Sequence, residues 1–305
     1  MEQREYIELR GYIEQHYSIK SVSGYLNTIG NYTAYMQEKA VNATYNDVLE
    51  YLSFLRNRDI RPRTIRNILF AIKIYYRYLV ATNQRIDHPC QRLHLKDRIN
   101  RSIPIENLYN ISTLEQMLET HTSSHKILQQ RDRVIISLLI YQALTVDELC
   151  RARIKDIDLY GATIHITGCH STKNRKSNKS RILSLKPEQI MLLHHYLNDT
   201  RPQLSERNNN PLTNDLQALI LSEQGASIKQ NSSINRIINR NRPPQQRINP
   251  TRIRQSVIAH LLKQNNDIRV VQVFAGHRRA GSTEQYKQSG LAELKNAINK
   301  HHPLQ

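Results

Sequence analysis

Near the carboxyl end of this chain a guanidinium, an imidazole and a phenol follow one another at set intervals. They are Arg254, then His277 23 residues on at the end of Ala-Gly-His, then Tyr286 after 9 more. Any fold that uses them together must bring three separated points of the chain to one place. The intervening residues give the means: an apolar helical run, VIAHLL, then Gly276, which suggests a tight turn or close backbone approach. Gly281-Ser282-Thr283 then reads as a loop leading to the segment that bears Tyr286. The chain has 16 tyrosines and 13 histidines, so none of these residues means much alone, and the spacing carries the signal.

The three groups suit chemistry at phosphorus. A phenol ionises near pH 10, so Tyr286 attacks at neutral pH only if neighbouring cations favour its oxyanion or a base takes its proton. Arg254 supplies such a field, and its planar fork can hold two non-bridging phosphate oxygens while charge builds on them. His277 can hydrogen-bond the same phosphate or shuttle a proton. No metal is needed for this. His260, on the apolar helix, reads instead as a buried, hydrogen-bonded structural histidine.

The run from Thr251 to Tyr286, TRIRQSVIAHLLKQNNDIRVVQVFAGHRRAGSTEQY, resembles the catalytic core of tyrosine recombinases, the phage-integrase and Xer-like family. That family's pattern is H-x-x-R, a T-H-L-L helix, L-G-H and the nucleophilic tyrosine. The resemblance implies catalytic roles for Tyr286, Arg254 and His277 and a mixed α/β, mostly helical catalytic domain with a small β-sheet. The segment from Tyr6 to Arg98 also resembles the family's helical core-binding domain, through SVSGYLNTIGNYTAYM, TYNDVLEYLSFL and RPRTIRNILFAIKIYYRYL. A mainly α chain follows, with a core-binding domain at 1–98, a polar, basic linker at 99–108 and a catalytic domain at 109–305.

Charge agrees with a polyanionic partner, DNA being the simplest. The chain has 44 Lys and Arg against 26 Asp and Glu, a formal charge of +18. Residues 1–55 carry 4 basic against 7 acidic side chains, and residues 56–98 carry 11 against 3. From Thr64 to Leu79, Ile65, Leu69, Ile72, Tyr76 and Leu79 recur at helical spacing. Arg63, Arg66, Lys73 and Arg77 are expected off that stripe, on a face that could track phosphates or simply be solvated.

In the second domain S-T-L-E predicts a helix starting at Ser112 through a capping box with Glu115. Further helices are expected near 132–143 and from about Thr145. Strands TIHIT (163–167) and SRILSL (180–185) are expected to form a hairpin, and Pro187 opens a helix. The hairpin loop HSTKNRKSNK has four positive charges and no acid. In the family a lysine on this hairpin protonates the departing 5′ oxygen. Lys173 matches that position best and Lys176 second, while all four cations could equally steer phosphate. The polar, basic run at 231–247 reads as a helix and a Pro-interrupted loop whose partner is phosphate.

Two departures from the family stand out. Its G-L-R-x-x-E-L segment, which holds the first catalytic arginine, reads here Ala143-Leu144-Thr145-Val146-Asp147-Glu148-Leu149. Thr145 cannot replace a guanidinium, but T-V-D-E is itself a capping box with Thr145 as N-cap and Glu148 at N3. Loss of one fixed phosphate clamp costs about 2.7–4 kcal/mol by analogy with an oxyanion-hole donor, a rate loss of roughly 100-fold or more. Arg151 and Arg153 lie too far along the helix to reach back, and Arg175 in the hairpin loop is the favoured replacement. Thr251 stands where the family has the histidine of H-x-x-R.

Three function classes follow: a site-specific recombinase acting through a 3′-phosphotyrosine, a catalytically weakened accessory or regulatory DNA binder, and a type IB topoisomerase-like enzyme. The recombinase accounts for most of the pattern. It implies no cofactor and a homo-tetramer on paired sites, to which the tail with Leu291, Leu294, Ala297 and Ile298 at helical spacing could contribute. Cys90, Cys150 and Cys169 lack C-x-x-C spacing, which suits reduced thiols in the cytoplasm. The adjacent pairs His194-His195 and His301-His302 offer no third ligand for a metal. No stretch approaches the ~18 apolar residues of a membrane span.

Overall fold

The computed structural model describes residues 3–98, 103, 106, 108–123, 125–168, 178–208, 210 and 215–286. By internal contacts the chain divides into two compact units, 1–100 and 101–305. Among the described residues no helix is long and apolar enough to cross a membrane.

Among its described residues the first unit holds four α-helices, α1 (Gln3–His16), α2 (Ile19–Met36), α3 (Tyr45–Asn57) and α4 (Pro62–Ala81), with a 3-10 turn at Gln37–Ala40. Thr44 starts α3 through a capping box with Asp47, and Pro62 sits in the first turn of α4, where its missing N–H costs nothing. The α4 stripe falls as expected: Ile65, Leu69, Ile72, Tyr76 and Leu79 are all buried, against Leu9, Ile13, Leu26, Ile29 and Leu52. Two buried phenols keep their hydrogen bonds, Tyr32 with Tyr76 at 2.6 Å and Tyr76 to the Ala40 carbonyl at 2.9 Å.

Arg63, Arg66 and Arg77 are exposed off the stripe as expected, but Lys73 departs from the expected basic face. It is only 8% exposed, and its ammonium donates to the carbonyls of Gln91 at 2.9 Å and Leu93 at 2.7 Å. The position lies four residues after Leu69 and three before Tyr76, so it falls on the apolar stripe. The carbon stem is buried there and the head reaches for the nearest acceptors. Arg66 donates to the carbonyls of Leu95 and Asp97, and Arg77 to the Tyr17 hydroxyl.

The second unit is built around α6 (Lys126–Tyr141), whose Val134, Ile135, Ile136, Leu138 and Leu139 are fully buried. Before it runs α5 (Ile111–Glu119), which begins one residue ahead of Ser112. Asn110 accepts from the Thr113 N–H at 2.7 Å and outcompetes the later S-T-L-E box. After it come α7 (Val146–Arg151) and a three-stranded antiparallel sheet in the order β1-β2-β3, with strands Ile157–Asp158, Thr163–Ile166 and Arg181–Ser184. Thr163 pairs with Ser184 and Ile166 with Arg181. The alternation sends Ile164, Ile166 and Leu183 inward, and Arg181 with them.

The remaining helices are α8 (Pro187–His195), α9 (Arg201–Ser205), α10 (Asn231–Asn239), α11 (Pro250–Lys263) and α12 (Ile268–Ala275). A π-helical turn, Tyr196–Thr200, joins α8 to α9. Gly276 ends α12 in the left-handed conformation at φ 65°, a position that favours glycine. Residues 281–286 are helical from Gly281 onward, where a loop was expected. A small separate core of Ile258, Val271 and Ala275 packs against Tyr286 at the end of that turn.

Candidate active site

Arg254 owes its position to how α11 starts. Asn249 accepts from the N–H groups of Thr251 and Arg252, and Pro250 occupies the first turn. Thr251 is left exposed and Arg254 faces inward one turn later. Its guanidinium donates to the carbonyls of Ala143 and Ala275. Ala143 holds φ 48°, a left-handed conformation costly for a residue with a Cβ. The family has glycine at that position.

Glu148 joins the cap to the site. Thr145 accepts from the Glu148 N–H at 3.2 Å, and the Glu148 carboxylate accepts from the Thr145 N–H at 2.9 Å, as the T-V-D-E pattern predicts. The same carboxylate takes two hydrogen bonds from Arg181, at 2.7 and 3.2 Å, and one from Asn178 at 2.9 Å. It stands 4.0 Å from Arg254. Both side chains of the Glu148–Arg181 pair are within 2% of complete burial. Burial alone would raise the Glu148 carboxyl, but the hydrogen bonds and charge of Arg181, helped by the Thr145 N–H and Arg254, hold it down to about 2.

The end of the β-hairpin meets the His277 turn. The Lys179 N–H donates to the Gly276 carbonyl at 3.0 Å, and Asn178 pairs with His277. A Cβ on Gly276 would come within 2.6 Å of an Arg181 nitrogen, so glycine is needed for closeness as well as for φ. Around His277, the backbone N–H donates to the Gln272 carbonyl and the Gln272 amide donates back to the His277 carbonyl. Its Nδ1 lies 2.9 Å from the Thr283 hydroxyl, and its ring stacks on Tyr286 with centroids 6.1 Å apart at 19°.

Arg254 and Tyr286 line one pocket of about 390 Å3, together with Thr145, Thr251, Asn231 and Asn235. A neighbouring pocket of about 770 Å3 shares Asn235 and Asn249 with it and adds Arg236, Arg240 and Arg247. The polar run at 231–247 is thus α10 and the turn after it, set beside Arg254. Burial lowers Arg254 from its usual value, opposed by Glu148. Burial, with Arg254 and Arg181 nearby, lowers His277 to about 4, so it is neutral at physiological pH. Burial raises the Tyr286 phenol and Arg254 opposes it.

Arg254, His277 and Tyr286 therefore come together, with both threonine departures at the same pocket. Lys173, Lys176 and Arg175 lie outside the described residues. Arg151 pairs with Asp147 at 3.1 Å and donates to the Thr167 carbonyl, so it is engaged elsewhere. His260 is half-buried and bonds the Tyr109 carbonyl at 2.8 Å, a structural role. Arg181 was not anticipated from sequence. Its signal was a charged residue at an inward register of a strand, two before Leu183, which demands a buried partner.

Residues 109–292 match the phage integrase family, and residues 3–86 match the phage integrase N-terminal SAM-like domain. The chain belongs to the phage integrase family. It is 26% identical over 298 residues to tyrosine recombinase XerC of Bacillus subtilis strain 168, covering 95% of this chain and 93% of that one. To tyrosine recombinase XerD of Staphylococcus haemolyticus strain JCSC1435 it is 26% identical over 301 residues, covering 95% of each. The fold is similar to a crystal structure of the XerH site-specific recombinase bound to palindromic difH substrate, a post-cleavage complex. The TM-score is 0.64 at 20% identity, over 92% of this chain and 80% of that one. Within its family the chain is a Xer-like tyrosine recombinase, a DNA strand transferase.

Proposed function

We propose that this recombinase cuts and rejoins double-stranded DNA at a specific site through Tyr286, with Arg254, His277 and Lys173 as its catalytic partners. One observation carries the assignment: Arg254 and Tyr286 line a single pocket, and the His277 ring stacks on Tyr286. The Tyr286 oxygen attacks phosphorus and the bond to the 5′ oxygen breaks, leaving a 3′-phosphotyrosine and a 5′-hydroxyl. The phenolic proton passes to solvent or a base, and Lys173 supplies a proton to the departing oxygen. Arg254 holds non-bridging oxygens of the phosphate, and neutral His277 donates a hydrogen bond to it. Energy is kept in the covalent link, so the 5′-hydroxyl of a partner duplex can reverse the step without a cofactor.

Chain length leaves both lysines of this segment, Lys173 and Lys176, within reach of the site. Gly168 and Asn178, one on either side of residues 169–177, lie close together, and Asn178 pairs with His277. Lys173 is the midpoint, five residues from each end, within about 17 Å of either at full extension. Residues 1–98 would grip DNA as a core-binding domain, 99–108 would tether it, and 109–305 would perform the chemistry. A homo-tetramer on two paired sites in the cytoplasm completes the reading. With Thr145 and Thr251 in place of an arginine and a histidine, cleavage is slow unless Arg175 supplies the missing clamp.

Incubation with a nicked suicide duplex containing the chain's own site tests this. A covalent protein–DNA adduct is expected from the parent and none from Tyr286→Phe. Sequence-specific binding with no adduct from the parent would instead establish an accessory DNA binder.

A further inference from the structure

Thr283 has no role in the chemistry above, yet its side chain is fully buried. A buried hydroxyl needs an acceptor for its hydrogen. Among the described residues the group facing it is Nδ1 of His277, at 2.9 Å. If Nδ1 carried the ring proton it would donate to the threonine oxygen, and the hydroxyl hydrogen would be left without an acceptor. If Nδ1 accepts, both groups are satisfied, and a neutral ring must carry its proton on Nε2.

We infer that Thr283 is a positioning residue, whose hydroxyl holds the His277 ring in place and in the tautomer with its proton on Nε2, the nitrogen left free to donate to the reacting phosphate. The inference rests on the reading of His277 as a ligand of that phosphate. Burial and the nearby Arg254 and Arg181 keep the ring neutral, which is the state in which tautomer choice matters. Thr283 also lies three residues before Tyr286 in the helical segment 281–286, one turn away on the same side. Nucleophile and orienting hydroxyl thus ride on one element, and any shift that withdraws Tyr286 also releases His277.

Two variants separate orientation from packing. Thr283→Val keeps the shape and loses the hydroxyl, and Thr283→Ser keeps the hydroxyl and loses a methyl. The ring-nitrogen shifts of His277, read by 15N NMR in the full chain without DNA, should report protonated Nε2 in the parent and Thr283→Ser and a tautomer mixture in Thr283→Val. On the suicide duplex, adduct formation should fall roughly 10- to 100-fold in Thr283→Val, as for loss of other orienting partners, with DNA affinity unchanged and Thr283→Ser within about threefold of the parent. A parent-like tautomer in Thr283→Val, or equal loss of rate in both variants, overturns the inference. A parent that forms no adduct overturns the recombinase reading and with it the catalytic consequence, whereas the NMR result alone decides whether Thr283 sets the ring.

Discussion

Replacing Glu148 with Gln removes one negative charge from between two buried guanidiniums, and its cost can be worked out in two ways. Glu148 ionises near 2 instead of its ordinary 4.5. At about 1.36 kcal/mol per pH unit that difference amounts to about 3 kcal/mol of native-state stability at neutral pH. Independently, breaking a buried ion pair by removing one partner costs about 3–5 kcal/mol, because the other charge is stranded. Glu148→Gln should therefore destabilise the catalytic unit by about 3 kcal/mol at pH 7. Because the folded carboxyl titrates lower than the unfolded one, this stabilisation is complete above about 4.5 and fades as pH falls toward about 2. The two chains should converge in acid. Native-state hydrogen exchange of the buried α6 amides in the full chain is the suitable assay, since two units need not unfold in one transition. A difference under about 1 kcal/mol at pH 7, the size of one ordinary hydrogen bond, or one that persists to pH 2, would refute the ion-pair reasoning.

Thr145→Arg should raise adduct formation on the suicide duplex roughly 100-fold if no other side chain supplies the clamp, while loss of the cap lowers stability by about 1 kcal/mol. An unchanged rate would mean that another group already fills that role. Gly276→Ala should cost at least about 1–2 kcal/mol through its left-handed backbone and depress cleavage further by displacing Arg181; a parent-like melting temperature and rate would contradict the close approach. Arg63→Ala should weaken DNA binding and reduce its salt slope by about 1, whereas Lys73→Met should leave the slope unchanged and destabilise the first unit. A reduced slope in Lys73→Met would show that its ammonium reaches phosphate after all.

Local patterns were the legible part. The α4 stripe, the two hairpin strands, the Pro187 helix start and the Thr145–Glu148 box each depend on neighbours within a few residues, so spacing and residue type were enough. Lys73 was misplaced because helical periodicity blurs at the edge of a stripe, and a lysine there is decided by which carbonyls lie within reach of its stem. The start of α5 was misplaced by one residue because two capping patterns overlap and Asn110 took the N–H first. At the site, the order of Arg254, His277 and Tyr286 was readable, but Arg181 and Thr283 were not. Their meaning lies in partners 33 and 6 residues away, Glu148 and His277, reached through tertiary packing.

The buried charges do not balance. Arg254 and Arg181 share one carboxylate, Glu148, so this inner cluster carries one excess positive charge beside the pocket that Tyr286 lines. Burying an unmatched guanidinium costs several kcal/mol and gains no stability that a neutral side chain could not provide. Thr145 shows the opposite economy at the same place, since its hydroxyl oxygen accepts from the Glu148 N–H and its own N–H donates to the Glu148 carboxylate without burying another charge. If stability alone governed this region, Arg254 would be the residue to lose. Its fork is instead held by two carbonyls, one of them on a strained alanine, in an orientation its own stability does not require. On the proposed function, a phosphodiester entering the pocket would supply the missing negative charge, and the imbalance would then serve to bind the group that Tyr286 would attack.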